Sequence, residues 1–275
     1  MSNTARFPWG MVDIHGHLLP GIDDGSKNLE MSLAMARQAV ADGISVSLLT
    51  PHHRNGVYEN AADFIRERTA ALRAALKEAE IELEVLPGAE CHLVPELPRE
   101  LRAGTAMTVA DRKRAVLVEL PVHSVPVGAT TILENILALD LQPVIVHPER
   151  NSELARNADR LADWVDMGCL AQVTSRSCTG KFGDTALKAS EEMVTRGLVH
   201  FLASDAHRDR RRIPEMSPGR ERITQWIGKE GARLLTEDFP RALVMGREVD
   251  PAQLYDVLPK RKQRKGLLSR LLGRG

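Results

Sequence analysis

Short apolar, β-branched runs alternate with helix-like patterns along this chain of 275 residues, about seven times over. The spacing predicts strands at 12–14, 45–49, 81–86, 115–120, 143–147, 169–174 and 199–203, and helices at 29–41, 61–80, 129–138, 152–167, 185–196 and 218–229. Parallel strands need a long crossover between neighbours, usually a helix, so this alternation implies an α/β fold with a parallel sheet. In the first helix Leu29, Leu33, Ala36 and Val40 share one face at helical spacing. Asp42-Gly43, Met167-Gly168 and Arg196-Gly197 read as helix stops, with glycine just past the end. No linker rich in Pro, Gly or Ser divides the chain before residue 258, which favours a single (β/α) barrel over two domains. The expected division is an N-terminal extension at 1–10, one domain at 11–258 and a tail at 259–275.

In such barrels the chemistry gathers at the carboxyl ends of the strands, and those ends are the informative part of this sequence. Strand one runs into Asp13-Ile14-His15-Gly16-His17, strand two into Pro51-His52-His53, and strand three into Gly88-Ala89-Glu90. Strand four carries Glu119, strand five ends in His147-Pro148-Glu149-Arg150, and strand seven in Ser204-Asp205-Ala206-His207. Strand six is the exception, with Gln172, Thr174 and Ser175. A divalent metal needs several imidazole or carboxylate ligands converging from different directions. Neighbouring metals also need a bridging carboxylate to offset their repulsion, and together they can activate water and hold a phosphate. Taken singly, His147 reads as a structural histidine, Glu90 or Glu119 as a salt-bridge partner, and His-x-His as a weak motif. Jointly, five histidines and three acids stand at matching strand ends. Of the nine histidines only His53, His92, His123 and His200 lie outside that set. Asp23-Asp24-Gly25 reads either as an Asx-turn or as a source of one more ligand, Asp24. Arg54, Arg150 and the Arg210-Arg211-Arg212 run closely follow ligand positions, and planar guanidinium suits phosphate oxygens.

The remaining composition narrows the function. Apolar residues make up 43% and charged residues 27%, which suits a globular chain. No apolar run is long enough to span a bilayer, and residues 1–10 lack a signal-peptide stretch, so a cytoplasmic location is expected. Cys91, Cys169 and Cys178 form no C-x-x-C. At the offset where a cysteine-dependent tyrosine phosphatase carries arginine they have Leu97, Ser175 and Asp184, so they read as buried thiols. The net charge is zero, but the tail carries seven Lys or Arg and no acid, which leaves the body acidic and argues against a nucleic-acid face. The tail pairs a Lys/Arg run with Leu267, Leu268, Leu271 and Leu272. It reads either as a solubilising segment or as a weak contact with anionic membrane at the inner face.

The segments VDIHGHLLPGIDDG, TPHHRNG, PGAE, VELP, PVIVHPER and FLASDAH resemble, in order and spacing, the polymerase-and-histidinol-phosphatase (PHP) family. More narrowly they resemble its metal-dependent protein-tyrosine phosphatases of capsule and exopolysaccharide loci, the CpsB/CapC type. The resemblance runs from about Met11 to Met245, and QVTSRSCTGKFG is similar to the family's strand-six segment, although Val173-Thr174-Ser175-Arg176 is less standard. It implies a distorted (β/α)7 barrel, TIM-like, holding three metals, usually manganese, although Fe, Zn or Mg suit the same donors. It also implies that His15, His17, Glu90 and Asp205 surround one metal. Glu90 would bridge to a second with Glu119 and His147, and Asp24, His52 and His207 would serve the third. Arg150 and Arg212 would match the phosphate-binding arginines, with Arg54 nearby, and Asp205 and His207 would join them in catalysis, His207 as a proton donor to a poorer leaving group. The implied activity is hydrolysis of phosphotyrosine, without a phosphoenzyme, on a tyrosine kinase of polysaccharide export. The competing expectations are a small-molecule phosphatase such as histidinol phosphatase, a nuclease, and a metal-binding scaffold without turnover.

Overall fold

The structure, a computed structural model, describes residues 10–259, and nine strands with their crossover helices build this part. The strands are β1 (Met11–Gly16), β2 (Ile44–Leu49), β3 (His52–His53), β4 (Glu84–Pro87), β5 (Glu90–His92), β6 (Ala115–Glu119), β7 (Gln142–Val146), β8 (Leu170–Thr174) and β9 (Phe201–Ala203). Every strand pairing is parallel, in two sheets ordered β1-β2-β4 and β3-β5-β6-β7-β8-β9. The expected α/β class and parallel sheet are present. Except for Gly10, the expected N-terminal extension lies outside the described residues, as does the basic tail from residue 260 onward.

Two of the seven expected strands break in two. Thr50 and Pro51 separate β2 from β3, and Gly88 and Ala89 separate β4 from β5. Pro51 has no N–H for the ladder. At Gly88 a Cβ would lie 2.8 Å from Leu48 Cγ, so only glycine lets the strands pass this closely. Pairing resumes at once: Gly88 N donates to the Leu49 carbonyl at 2.9 Å and Glu90 N to that of Pro51 at 3.1 Å. At the far edge, Asp205 N donates to the His15 carbonyl at 2.9 Å and His17 N to that of Ala206 at 2.8 Å. The exit of β9 therefore runs beside the exit of β1.

The helices are α1 (Leu29–Ala41), α2 (Ala62–Glu78), α3 (Leu97–Ala103), α4 (Ala129–Leu137), α5 (Asp159–Asp166), α6 (Ser175–Cys178), α7 (Asp184–Thr195), α8 (Ser217–Arg233), α9 (Phe239–Val244) and α10 (Ala252–Val257). Gly43 and Gly168 stop α1 and α5 with φ of 88° and 108°, as their spacing predicts. The face of α1 differs from expectation. Ser32, Met35, Ala36 and Ala39 are buried, while Leu29 and Val40 are exposed. The Ser32 hydroxyl bonds Ser26 Oγ and the Asn28 carbonyl, which lets a polar residue occupy the inner face. The helix expected from residue 152 starts only at Asp159, because the Asn151 side chain accepts from Glu153 N and Leu154 N and holds that stretch in a turn. Helix α8 runs past its expected end, with a break at Gly228. Strands covered on both faces read as continuous apolar runs. Val116, Leu117 and Val118 of β6 and Val144, Ile145 and Val146 of β7 are accordingly buried. No helix among the described residues is long and apolar enough to cross a membrane.

Candidate metal centre

Because all the strands run the same way, their carboxyl ends share one rim, and the expected ligands arrive there from six strand ends. His15 sits on β1 and His17 just beyond it; His52 is on β3, Glu90 on β5 and Glu119 on β6, while His147 follows β7 and Asp205 and His207 follow β9. Asp24 comes from the loop after β1 and is the most exposed of the nine. Two of the positions are backbone outliers: His147 has φ of 36° and Asp205 φ of 50°. Such left-handed residues cost of order 1–3 kcal/mol and gather where a side chain must be aimed.

Glu90 is the hub. Its Oε2 lies 3.3 Å from His15 Nε2, 3.4 Å from His17 Nε2 and 2.9 Å from His52 Nδ1, and its Oε1 is 2.7 Å from His147 Nε2. His15 Nε2 and His17 Nε2 face each other at 3.3 Å. Buried Glu90 Oε2 and His52 Nδ1 nevertheless make no hydrogen bond of proper geometry. Groups whose ligand atoms all lie within 4.8 Å of one another are His15, His17 and Asp205; His15, Glu90 and His147; His52, Glu90 and Glu119; and His17, Asp24, His52 and His207. Together they contain all nine expected ligands. The grouping differs from the implied one, since Glu119 stands with His52 instead of His147, and His15, His17, Glu90 and His52 are each shared.

The tautomers favour metal binding. His15 Nδ1 pairs with Gln172 Oε1 at 2.9 Å, His17 Nδ1 with Asp23 Oδ2 at 2.8 Å, and His207 Nδ1 with the Asp205 carbonyl at 3.0 Å. Each contact places the ring proton on Nδ1 and leaves the Nε2 lone pair toward the cluster, the arrangement ligating histidines use. Burial acts to lower the pKa of His17, but Asp23 and Glu90 outweigh it and raise it to about 9. For His52 burial is likewise overcome, by Asp24, Glu90 and Glu119, and the pKa rises to about 11. Burial would raise Glu90 and Asp205, yet His15 and His147 around the first, and Arg212, His15 and Arg150 around the second, hold both well below the usual carboxylate range. The cluster thus draws in positive charge, and its mix of imidazole and carboxylate donors with unpartnered buried atoms fits divalent cations.

Arg150 and Arg212 both pair with Asp205 Oδ2, on the edge of that carboxylate away from the histidines. Arg54 does not join them. Its guanidinium is engaged by Glu100 and Glu59. Burial, with the charges of His17 and Arg212, lowers His207 to about 3, which suits a neutral ligand better than the expected proton donor. Strand spacing did not single out Asp23, Gln172 or Glu149 as functional. Asp23 also accepts from Gly25 N as an Asx-turn, and Glu149 accepts from Ser177 Oγ and Thr174 N. Asp23 and Gln172 orient His17 and His15, and Glu149 braces the turn from β8 into α6. Asp23 stood beside Asp24, Gln172 at the end of strand six and Glu149 beside His147, but nothing in the spacing named their partners. Cys91, Cys169 and Cys178 are free and buried; burial pushes the Cys169 thiol up to about 12 and raises the other two as well, so none offers a thiolate nucleophile.

Residues 11–245 match the family described as capsular polysaccharide synthesis, CpsB/CapC. The chain belongs to the CpsB/CapC family. Among its relatives is the tyrosine-protein phosphatase YwqE of Bacillus subtilis, 37% identical over 228 residues that cover 83% of this chain and 89% of that one. Another is the tyrosine-protein phosphatase CpsB of Streptococcus pneumoniae, 32% identical over 240 residues, covering 86% and 98%. A crystal structure from work on YwqE and CpsB, described there as unique metal-dependent tyrosine phosphatases, superposes with a TM-score of 0.84 at 34% identity, over 87% of this chain and 96% of that one. The phosphotriesterase homology protein of Escherichia coli matches with a TM-score of 0.55 at 13% identity, over 86% and 99%, and shares the fold alone.

Proposed function

We propose that this CpsB/CapC chain is a metal-dependent protein-tyrosine phosphatase that hydrolyses phosphotyrosine on a tyrosine kinase of capsular or exopolysaccharide synthesis. The observation that carries the reading is the pairing of Arg150 and Arg212 on one oxygen of Asp205, at the edge of a nine-ligand cluster. That pairing supports a phosphate-binding role for the two guanidiniums beside the cluster. We read the two sheets around the cluster as one distorted (β/α)7 barrel, PHP-like, over residues 11–258, a reading that the run of the β9 exit beside the β1 exit supports.

The nine residues would hold three ions, manganese in the first instance, with Fe, Zn or Mg accepted by the same donors. Bound there, the ions supply Lewis acidity and water activated at neutral pH. The rest falls to the chain itself. Gln172, Asp23 and the Asp205 carbonyl fix the imidazole orientations. Glu90 turns its two oxygens to different groups of candidate ligands and would help hold more than one ion. Arg150 and Arg212 neutralise phosphoryl charge as it grows in the transition state. A phenolate is a good enough leaving group to depart without a strong acid, in keeping with a neutral His207.

The deciding experiment is phosphate release from a phosphotyrosine peptide, histidinol phosphate and a short oligonucleotide, each with manganese or with chelator. Manganese-dependent release from the peptide is expected, and release only from histidinol phosphate would overturn the reading. For the tail we propose weak, reversible contact with anionic membrane, which would keep a cytoplasmic enzyme near its kinase. Cosedimentation with anionic liposomes should be stronger for the full chain than for one ending at Leu258, and equal binding would end that proposal.

A further inference from the structure

Strand β8 runs into the short helix α6, which carries Arg176 to the same rim as the ligands. The loop that follows brings back Phe182, and three guanidiniums gather around its half-buried ring. The central carbon of Arg150 lies 5.0 Å from the ring centre, that of Arg176 5.6 Å and that of Arg212 5.8 Å. Arg150 and Arg212 share one carboxylate, Asp205, whose single charge offsets only one of them. Arg176 has no such partner. Among the described residues its side chain makes no hydrogen bond or ion pair, and its Nε is buried without an acceptor. A ring face attracts a cation by about 0.5–2 kcal/mol, less than a guanidinium loses when it is desolvated beside two like charges. A guanidinium held there suits an anionic oxygen.

We propose that Arg176 is a further substrate-binding residue, which takes an oxyanion of the aryl phosphate held by Arg150 and Arg212, with Phe182 as the platform that keeps all three guanidiniums at one mouth. This rests on the phosphatase reading above. The oxyanion is either an oxygen of the reacting phosphoryl group or a carboxylate beside the phosphotyrosine in the peptide. A guanidinium fork suits both, and Arg176 thereby sets the preference of this site.

The test uses the full, manganese-loaded protein and its Arg176→Gln and Arg176→Lys variants. Steady-state kinetics are measured on para-nitrophenyl phosphate and on two phosphotyrosine peptides, one with acidic neighbours and one with neutral neighbours. Affinity for inorganic phosphate and for the peptides is read separately by calorimetry. Losing a charge-assisted hydrogen bond should raise KM about tenfold or more in Arg176→Gln, with kcat and bound metal retained and part of the loss recovered in Arg176→Lys. A rise on all three substrates identifies the phosphoryl oxygen, and a rise on the acidic peptide alone identifies the carboxylate. Unchanged KM and unchanged affinities throughout would overturn the proposal. So would loss of bound metal in both variants, which would mark a structural arginine. If the native protein hydrolyses none of the substrates, the phosphatase reading falls, while calorimetry still decides whether Arg176 binds the anion.

Discussion

The two ends of the strands both bury histidine and treat it in opposite ways. At the amino end His200 precedes β9, its Nδ1 accepting from Ala171 N at 3.2 Å, and burial alone lowers its pKa to about 3. At the carboxyl end burial acts on His17 in the same sense, yet Asp23 and Glu90 outweigh it and the pKa rises to about 9. Burial by itself makes a neutral packing group of a histidine. Converging carboxylates make it part of a site that seeks a cation. The amino end has an opening of its own, a cleft of about 300 Å³ lined by Arg114, Gln142 and Arg247, but the groups that could hold a metal among the described residues all lie at the other rim.

The largest expected effect comes from removing the hub of that rim. Glu90→Ala should lose more turnover than the roughly 10²- to 10³-fold typical of one electrostatic contact, together with bound metal by elemental analysis. A folded variant that keeps both metal and activity would break the comparison at its centre. Glu119→Ala and His147→Ala should behave in the same way.

Arg150→Ala and Arg212→Ala come next, with kcat/KM lower by about 10²- to 10³-fold while metal content stays unchanged. Loss of metal in these variants would make the arginines supports of Asp205 and remove them from phosphate binding.

A smaller effect, about 10- to 100-fold in metal affinity, is expected for Asp23→Ala, which frees the Nδ1 side of His17. The pH dependence should have a definite sign. Without metal, His17 stays protonated up to about 9 and His52 up to about 11, and each must lose its proton to bind. Metal affinity should therefore weaken as pH falls, by up to about tenfold per unit for each proton displaced. Metal titrations at several pH values check this, and a flat profile would contradict the charge balance described for the cluster.

The smallest effect belongs to the other end. In the unfolded chain His200 takes a proton below about 6.5, whereas in the folded chain it does so only near 3. Stability should fall as pH drops between those values, by about 1.4 kcal/mol per unit, and His200→Phe should remove that part of the slope. Urea denaturation of both proteins at pH 7, 6 and 5 measures the difference. Identical slopes would mean that His200 is already charged inside the fold.

Much of the rim was legible in advance, because strand polarity decides which end of each run carries chemistry and the ligand types stand next to recognisable strands. His15, His52, Glu90 and Asp205 needed no coordinates to be found. Their partners did. Gln172 lies 157 residues from the His15 ring it orients, and Glu100, which captures Arg54, lies 46 residues from it. The inner face of α1 escaped for a similar reason: periodicity ranks residues by polarity, and Ser32 is buried because a particular neighbour, Ser26, satisfies its hydroxyl.

By itself the sequence determined the class of fold, α/β with parallel strands, and the histidines and acids that stand at the strand ends, since both follow from local periodicity and residue type. The tertiary structure decided the grouping. Whether Glu119 meets His52 or His147, which arginines reach Asp205 and which one is left beside Phe182 depend on distances across the rim. Those distances are set by the twist and register of strands far apart in the chain, and no local pattern encodes them.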